Sequence, residues 1–412
     1  MVIGPRNARP GPADAEDRRI PPSGAVLWVP RMIDFAPDET QLALLASVDR
    51  YLQDWLPPEE VRRRDRDHVP PYDLLPLMGE LGLFRLAVPE EEGGLGLDWR
   101  TVMLVQERLG RHAYMVASIF NRVVGFGIAS VQGYGSAAQR AALLPKLLDG
   151  RLLIALALTE PEAGTDASAI RTRAVHADGG WRIRGRKTWI SDAKGADFLL
   201  VAVRTDPESS GSRGISLFLV PPTAAGVGMT PLSKVGNNCM PSWDIGFDDV
   251  FVPDDAMLGQ EGQGFRHMMS TLHNSRASMA ATVTGCAQAA VDCAVAHAKE
   301  RIQFGRPLGA LQSVRHRLAD MQMRVDQSRL TVWHLGWLIA TGQKAQREAS
   351  AAKVIATETL QYVTHHGMQL LASAGYSSES DMQRFWRDGR LYTFGEGANE
   401  IQREIIAREM GL

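Results

Sequence analysis

The spacing of hydrophobic and polar positions changes twice along the chain. Between about residues 38 and 150, apolar residues recur every three or four positions, as on one face of a helix. The first such stretch starts beside Asp38 or Thr40, either of which can cap a helix, and ends at Pro57-Pro58. This part of the chain is predicted to form amphipathic helices.

From about residue 152 to 253 the pattern alternates between apolar and polar residues instead. Its clearest signal is a strand from Thr172 to Ala177, a Gly-rich turn and a second strand from Trp181. From Gly262 onward the helical period returns in long segments with short connections. We predict an α+β fold with an N-terminal all-α domain, a central β-barrel or sandwich domain and a C-terminal four-helix bundle, over residues 37–150, 151–258 and 259–412.

The first 36 residues are rich in Pro, Gly and Arg and are predicted to be a flexible arm. Arg18-Arg19 could belong to a twin-arginine export signal, but the apolar residues that follow are too few and stop at Pro30. The chain has three cysteines without disulfide or metal-ligand spacing, which is typical of a reducing compartment. We therefore expect a cytoplasmic protein.

The charge balance argues against several classes of partner. Lys and Arg number 45 and Asp and Glu number 47, so the net charge is −2. This balance gives no reason to expect nucleic acid or an anionic membrane as a partner. We find no apolar run of the ~18 residues that a membrane span requires, and the histidines show no metal-ligand spacing. We expect no metal, no nucleic acid and no membrane.

Six short motifs occur in a fixed order along the chain. They are Pro89-Glu90-Glu91-Glu92-Gly93-Gly94, Leu158-Thr159-Glu160-Pro161 followed by Ala163-Gly164-Thr165-Asp166, Gly185-Arg186-Lys187-Thr188-Trp189-Ile190-Ser191, Phe247-Asp248-Asp249-Val250-Phe251-Val252-Pro253, Arg301-Ile302-Gln303-Phe304-Gly305-Arg306-Pro307 and Glu396-Gly397-Ala398-Asn399-Glu400. In this order they resemble the signature motifs of the acyl-CoA dehydrogenases, a family of FAD enzymes. The resemblance runs from about Asp38 to the C-terminus. It implies the family's fold and the removal of two hydrogens from an acyl-CoA thioester, giving a trans-2-enoyl-CoA.

One of these motifs also has a physical interpretation of its own. On a strand, Trp189 and Ser191 would point to the same face, because alternate residues do. A flat flavin ring needs such an apolar surface beside a few hydrogen-bond donors. The alternative, a core Trp beside a surface Ser, is the better interpretation of the pair alone. The neighbouring Thr159 motif favours the flavin.

The resemblance implies two sets of binding residues. The FAD set is Leu156, Leu158, Thr159, Thr165, Trp189, Ser191, Arg301, Gln303, Phe304, Gln312, Gln369, Ser373, Ala398 and Glu400. The substrate set is Thr165, His273, Asn274, Arg276 and Gly397. In the family, the residues of the Arg301 motif reach the FAD of a neighbouring subunit, which implies a homo-oligomer, either a dimer or a tetramer.

The catalytic base implied by the resemblance is Glu396. Dehydrogenation requires a base for the α proton and an acceptor for the β hydride, which is flavin N5 in this family. A carboxylate in an apolar pocket has its pKa raised toward the working pH. Flanking Gly395 and Gly397 are expected to allow a tight loop. The alternative is a Glu that stabilises the N-terminus of the last helix. Some members carry the base on the first bundle helix, where this chain has Asn274 and Ser275.

The sequence departs from the family pattern at a few positions. Ala372-Ser373 stands where the family has paired glycines, and Ala398 where it often has Thr. We expect both changes to affect FAD binding. Gly395 stands where an aromatic residue is frequent, which predicts a roomier pocket for branched or cyclic acyl groups.

The resemblance implies an electron-transfer flavoprotein as the electron acceptor. Two alternatives stay open at this point. One is an acyl-CoA oxidase-like enzyme or an enoyl-CoA reductase on the same scaffold. The other is a non-catalytic flavin-bound binding protein.

Overall fold

The structure is a computed structural model that describes residues 36–412, apart from the side chain of His273. The predicted arm therefore lies, but for Ala36, outside the described residues. Of the two residues predicted to cap the first helix, Asp38 is the N-cap, and it forms a capping box: Gln41 N donates to Asp38 Oδ1 (2.8 Å), and the Gln41 side chain accepts from Asp38 N (3.1 Å). The N-terminal helices are α1 (Glu39–Trp55), α2 (Pro58–Asp67), α3 (Leu75–Glu80), α4 (Trp99–His112), α5 (Tyr114–Asn121), α6 (Ala129–Tyr134) and α7 (Ala137–Leu148).

Helices α5 and α6 are joined without a break by a π-helix, Arg122–Ile128. By length and composition the combined Tyr114–Tyr134 segment could cross a membrane, as could the long helix Gly264–Glu300. The expectation that no such segment exists is therefore wrong. The most apolar windows of the two are, however, 83% and 72% buried inside the protein, as expected for core helices.

The central part is an eight-stranded sheet. Its strands are β1 (Ile154–Ala157), β2 (Arg173–Ala177), β3 (Gly180–Ser191), β4 (Phe198–Arg204), β5 (Ile215–Val220), β6 (Val227–Leu232), β7 (Ser242–Pro253) and β8 (Met257–Leu258). The strand order is β6-β7-β3-β2-β4-β5-β8, and β1 pairs with β4 in parallel. The predicted hairpin is β2 and β3, with its turn at Asp178-Gly179. Strands β3 and β7 pair over most of their length, but two irregularities interrupt the register.

The C-terminal part is helical again, with three long helices and three shorter ones. A small hairpin of β9 (Ile302–Gln303) and β10 (Arg306–Pro307) separates the first two long helices. The helices are α8 (Gly264–Glu300), α9 (Gln312–Ala340), α10 (Gln346–Leu371), α11 (Ser373–Tyr376), α12 (Asp381–Gly389) and α13 (Asn399–Glu409).

The buried apolar side chains form two clusters. One runs without interruption through the N-terminal helices and the sheet, and includes Phe120 of α5 and Ile154 of β1. The other fills the helical bundle, from Ala277 on α8 to Tyr392. The first two predicted domains therefore share one core, which fixes helix α5 against strand β1. The observed element changes fall between Leu148 and Ile154 and between Leu258 and Gly264.

Candidate active site

A cavity of about 1800 Å³ is lined by the N-terminal helices, the sheet and the C-terminal bundle. The sheet contributes Thr159 and Ser191, helix α8 contributes Arg276, and the loop before α13 contributes Glu396. Residues from all three sequence regions thus face one space. A cavity of this size is larger than most small-molecule sites, which span roughly 300–1,000 Å³.

Trp189 enters the cavity through an irregularity of strand β3. The pairing of β3 with β7 shifts between Lys187 and Ile190, and Trp189 has a left-handed φ of 58°. Trp189 is 55% exposed, although Lys187 and Ile190 on either side of it are buried. The sequence argument from alternation along a regular strand is therefore wrong at this point. The bulge, rather than the strand period, lets Trp189 and Ser191 line the same cavity.

A buried ion pair holds the segment that carries Thr159. Lys187 Nζ donates to Glu160 Oε1 (2.7 Å) and to the carbonyl of Leu158 (2.9 Å). The Glu160 carboxylate also accepts from the backbone N–H groups of Arg171 and Thr172 (2.6 and 2.9 Å). Burial raises the pKa of Glu160, but Lys187 and these donors lower it overall. The pair therefore fixes the position of the Thr159 segment against strand β3.

Glu396 lies in the tight loop that precedes α13. Both Glu396 (φ 55°) and Gly397 (φ 96°) are left-handed, whereas Gly395 is not. A side chain at Gly397 would approach Gln402 Nε2 to 2.8 Å, which the flexible Gln402 side chain could relieve, so it is the backbone conformation that requires glycine there. The predicted tight loop is present, but Gly397 alone of the two flanking glycines supplies the unusual φ. A left-handed non-glycine residue such as Glu396 is strained, a feature common at functional sites.

The Glu396 carboxylate is held on one side by a chain of two hydrogen bonds. Ser275 Oγ donates to Glu396 Oε2 (2.9 Å), and Asn121 Nδ2 donates to Ser275 Oγ (3.0 Å). Ser275 is fully buried on α8, and Asn121 is buried at the end of α5. The chain therefore connects the loop to two rigid helices. On the backbone side, Arg276 Nε donates to the carbonyl of Glu396 (3.2 Å).

The surroundings of Glu396 act on its pKa in opposite directions. Burial of the carboxylate raises its pKa above the ordinary value of a glutamate, and the Ser275 hydroxyl and three nearby cations, Arg122, Arg276 and Lys353, lower it in part. The overall direction is upward. Burial also lowers the pKa of Lys353 to about 8. Lys353 Nζ donates to Asn399 Oδ1 (2.8 Å), which ties α10 to α13 beside the loop.

Comparison with known proteins assigns the family. Three family models match in chain order: the acyl-CoA dehydrogenase N-terminal domain over residues 38–151, the middle domain over 155–250 and the C-terminal domain over 262–411. The chain belongs to the acyl-CoA dehydrogenase family. It is therefore an oxidoreductase, and the predicted family and fold are confirmed.

Individual members of the family show the same likeness. The probable acyl-CoA dehydrogenase YngJ of Bacillus subtilis is 35% identical over 81% of this chain and 88% of its own length. The butyryl-CoA dehydrogenase structure from Megasphaera elsdenii is 31% identical with a TM-score of 0.88, covering 92% of this chain and all of that one. A chain in a structure of the electron transferring flavoprotein of Acidaminococcus fermentans has the same identity and TM-score, with coverage of 92% and 99%.

Most of the predicted site residues of this acyl-CoA dehydrogenase line the cavity, although their roles stay predictions. The cavity residues are Leu156, Leu158, Thr159, Thr165, Trp189, Ser191, Asn274, Arg276, Glu396, Gly397 and Ala398. Glu400 is not among them and lies exposed in the first turn of α13. The side chain of His273 lies outside the described residues, so its predicted contact with substrate is not described.

Six predicted FAD residues lie on the surface, away from this cavity. Arg301, Gln303 and Phe304 are on the exposed β9–β10 hairpin and Gln312 begins α9, while Gln369 and Ser373 lie at the end of α10 and the start of α11. Phe304 is 89% exposed with a left-handed φ of 53°. Within one chain these side chains do not reach the cavity. This is the arrangement expected if they serve the site of a neighbouring subunit, which stays a prediction.

The two departures from the family pattern have different surroundings. Ala372 adopts φ 51° and ψ −133°, a conformation that glycine takes with less strain, and it ends α10. Ala398 is the N-cap of α13 and lines the cavity without offering a side-chain cap. The first departure is therefore a backbone strain at the surface. At the second position, Ala398 lacks the hydroxyl that the threonine frequent in the family would bring to the cavity.

The cavity walls fit a flavin. Within the described part of the chain, the hydroxyls of Thr159, Thr165 and Ser191 have no protein hydrogen-bond partner. Gln361 Nε2 is buried at the cavity and likewise has no acceptor among the described residues. Unpartnered donors beside the exposed indole of Trp189 match the polar edge and apolar face of an isoalloxazine ring.

Several residues around the base were missed by sequence reasoning. Asn121, Ser275 and Lys353 reach Glu396 or its loop from helices distant in the sequence. Arg122 could have been noticed, because it is the one charged residue in the apolar segment Tyr114–Tyr134. Polar residues in an apolar helix need a partner inside the protein. The others carry no local signal.

Proposed function

We propose that this protein catalyses the FAD-dependent α,β-dehydrogenation of a short-chain acyl-CoA thioester, giving a trans-2-enoyl-CoA, with Glu396 as the base. The observation that supports this most is the Glu396 carboxylate, which faces the cavity, is held by Ser275 and has its pKa raised by burial. The butyryl-CoA dehydrogenase likeness supports a short acyl group.

The chemistry begins with the α proton, which is only weakly acidic. Glu396 takes that proton, and its raised pKa makes the carboxylate a stronger base than an exposed glutamate. Donors at the thioester oxygen must stabilise the developing enolate, and the backbone N–H of Glu396 is available in the left-handed loop. When bound, FAD supplies the acceptor for the β hydride.

The cofactor would be held by the sheet side of the cavity. Trp189 offers its exposed indole face, and Thr159, Thr165 and Ser191 offer free hydroxyls. The substrate would lie between this wall and the bundle, where Arg276 and Glu396 line the opposite side. The Glu396 carboxylate would then face the α carbon and the hydride acceptor would face the β carbon, as the reaction requires.

The partners are part of the same proposal. An electron-transfer flavoprotein would accept the electrons, in line with the likeness to a chain in a structure of such a protein. The exposed hairpin supports a homo-oligomer, because in the family the residues of this motif, such as Phe304, reach the FAD of a neighbouring subunit.

The test is anaerobic titration of the yellow holoenzyme with acyl-CoA thioesters. Bleaching of the flavin by a short-chain thioester is expected, and Glu396→Gln should bind the same thioester without bleaching. The matched control is Glu404→Gln, which changes an exposed glutamate on α13 that does not line the cavity. If no thioester bleaches the wild-type flavin, or if Glu396→Gln bleaches at the wild-type rate, the proposal is wrong. Peroxide formation in air would indicate an oxidase.

A further inference from the structure

Next to the catalytic base, the cavity wall is polar where a fatty acyl chain would need an apolar surface. The residues of the Tyr114–Ile128 segment that line the cavity are Tyr114, Ser118, Asn121, Arg122 and Phe126. Four of these five carry a hydroxyl, an amide or a guanidinium. Pockets for hydrocarbon chains are lined mainly by apolar side chains, and burying unpaired polar groups against hydrocarbon is costly.

Two donors in this wall are bonded to a poor acceptor. Arg122 Nη2 approaches Met240 Sδ (3.0 Å), and Ser118 Oγ approaches the same sulfur (3.3 Å). A thioether sulfur accepts hydrogen bonds only weakly. No described residue accepts from Arg122 Nη1. We name Ser118, Asn121, Arg122 and Met240 the polar wall. The Ser118 and Arg122 donors would form stronger hydrogen bonds with a ligand oxygen than with the Met240 sulfur.

The polar wall is next to the reacting carbons. Asn121 connects to Glu396 through Ser275, with hydrogen bonds of 3.0 and 2.9 Å. Ser118 and Arg122 are one helical turn apart, on either side of Asn121. An acyl group whose α carbon meets Glu396 would therefore have its distal part beside the polar wall. The Asn121 Oδ1 atom is buried inside the protein, so the groups of the wall that can meet a ligand are the Ser118 and Arg122 donors.

The charge of the wall is compensated within the protein. Arg122 Nε donates to Asp192 Oδ2 (2.8 Å), and the two side chains are only 14% and 3% exposed. Tyr72 also donates to this carboxylate (3.0 Å). Glu396 adds a further negative charge to the cavity. A second carboxylate on the ligand would find the Arg122 guanidinium already paired with Asp192 in a poorly solvated site, whereas a neutral oxygen needs no counter-charge.

We infer that the preferred substrate is a short acyl-CoA bearing a neutral oxygen, a hydroxyl or a keto group, at carbon 4 or beyond, bound by the polar wall. The inference rests on the proposed dehydrogenation, which takes hydrogens from carbons 2 and 3. Those carbons must be saturated, so the oxygen belongs further along the chain. Ser118 and Arg122 are the donors that determine this specificity.

The test compares thioesters of equal size on the Glu396→Gln holoenzyme, where binding is measured by calorimetry without turnover. The pairs are 4-hydroxybutyryl-CoA against pentanoyl-CoA and 5-hydroxypentanoyl-CoA against hexanoyl-CoA, in which a hydroxyl replaces a methyl. One good hydrogen bond to a charged donor predicts about tenfold tighter binding of the hydroxylated member. Equal affinities within both pairs would overturn the inference. Stronger binding of succinyl-CoA or glutaryl-CoA than of the hydroxylated thioesters would overturn its neutral-oxygen part.

Two variants test the wall itself. Ser118→Ala removes a donor and should reduce the preference for the hydroxylated thioester, while the control Ser130→Ala, a buried serine outside the cavity, should leave it unchanged. Met240→Leu removes the competing sulfur at nearly constant volume and should increase the preference. A preference that is the same in all three variants would contradict the assigned donors. Failure of the dehydrogenation proposal is seen separately, as a wild-type flavin that no thioester bleaches.

Discussion

Removal of the Ser275 hydroxyl should change the pH dependence of the reaction. As the proposed base, Glu396 would act only when ionised, so activity should fall as the pH drops through its pKa. Ser275 Oγ donates to Glu396 Oε2 (2.9 Å) and lowers that pKa against the raising effect of burial. In Ser275→Ala the pKa rises further, and the acid limb of the profile moves to higher pH.

The size of the effect follows from the hydrogen bond. A bond to a charged group stabilises it by about 1.5–3 kcal/mol, and the protonated carboxyl keeps part of that interaction. A difference of ~1.36 kcal/mol between the two protonation states corresponds to about tenfold in rate at a fixed acidic pH. Below the midpoints of both proteins, Ser275→Ala should therefore be about tenfold slower than wild type. At alkaline pH, where both carboxylates are ionised, the two rates should approach each other.

The assay is the anaerobic rate of flavin bleaching, measured by stopped flow across the pH range with one saturating thioester. Ser278→Ala is the matched control, because Ser278 is equally buried on α8 and its Oγ has no hydrogen-bond partner among the described residues. The reasoning is refuted if the acid limb of Ser275→Ala coincides with that of wild type. It is also refuted if Ser278→Ala shifts the limb by the same amount.

Two further predictions concern the supports of the cavity. Lys187→Met leaves the Glu160 carboxylate buried without its cation and should lower the free energy of unfolding by about 3–5 kcal/mol. The free energy of unfolding is measured by urea denaturation followed by tryptophan fluorescence. A loss under about 1 kcal/mol would contradict a buried pair. Gly397→Ala places a Cβ in a left-handed position, 2.8 Å from Gln402 Nε2, and should reduce kcat at least about tenfold and lower the free energy of unfolding by about 1–2 kcal/mol. The control is Gly133→Ala, where a Cβ meets no atom within 4 Å, and equal kcat losses in both variants would reject the explanation.

Local sequence signals predicted the elements and the order of the motifs. Asp38, one of the two residues expected to cap the first helix, is its N-cap, because an N-cap depends only on residues within one turn. The β2–β3 hairpin likewise follows from a turn at Asp178-Gly179 between apolar runs. Short-range chemistry decides such features, and a single sequence contains it.

The strand period failed at Trp189 for a physical reason. Alternation assumes a regular strand, and the bulge between Lys187 and Ile190 exists only in relation to the partner strand β7. A similar limit applied to Tyr114–Tyr134, where composition alone cannot tell a core helix from a membrane span. In both cases the neighbouring elements, and not the segment itself, decide the outcome.

The sequence by itself determined the family, the three-part fold and Glu396 as the candidate base, because ordered motifs and local periodicity are written along the chain. Only the tertiary structure decided which groups surround that base. Ser275 lies 121 residues before Glu396 in the chain, and Asn121 lies 154 residues before Ser275. Contacts over such separations depend on how α5, α8 and the loop pack together. Packing therefore sets the pKa of the base and the polarity of the acyl pocket.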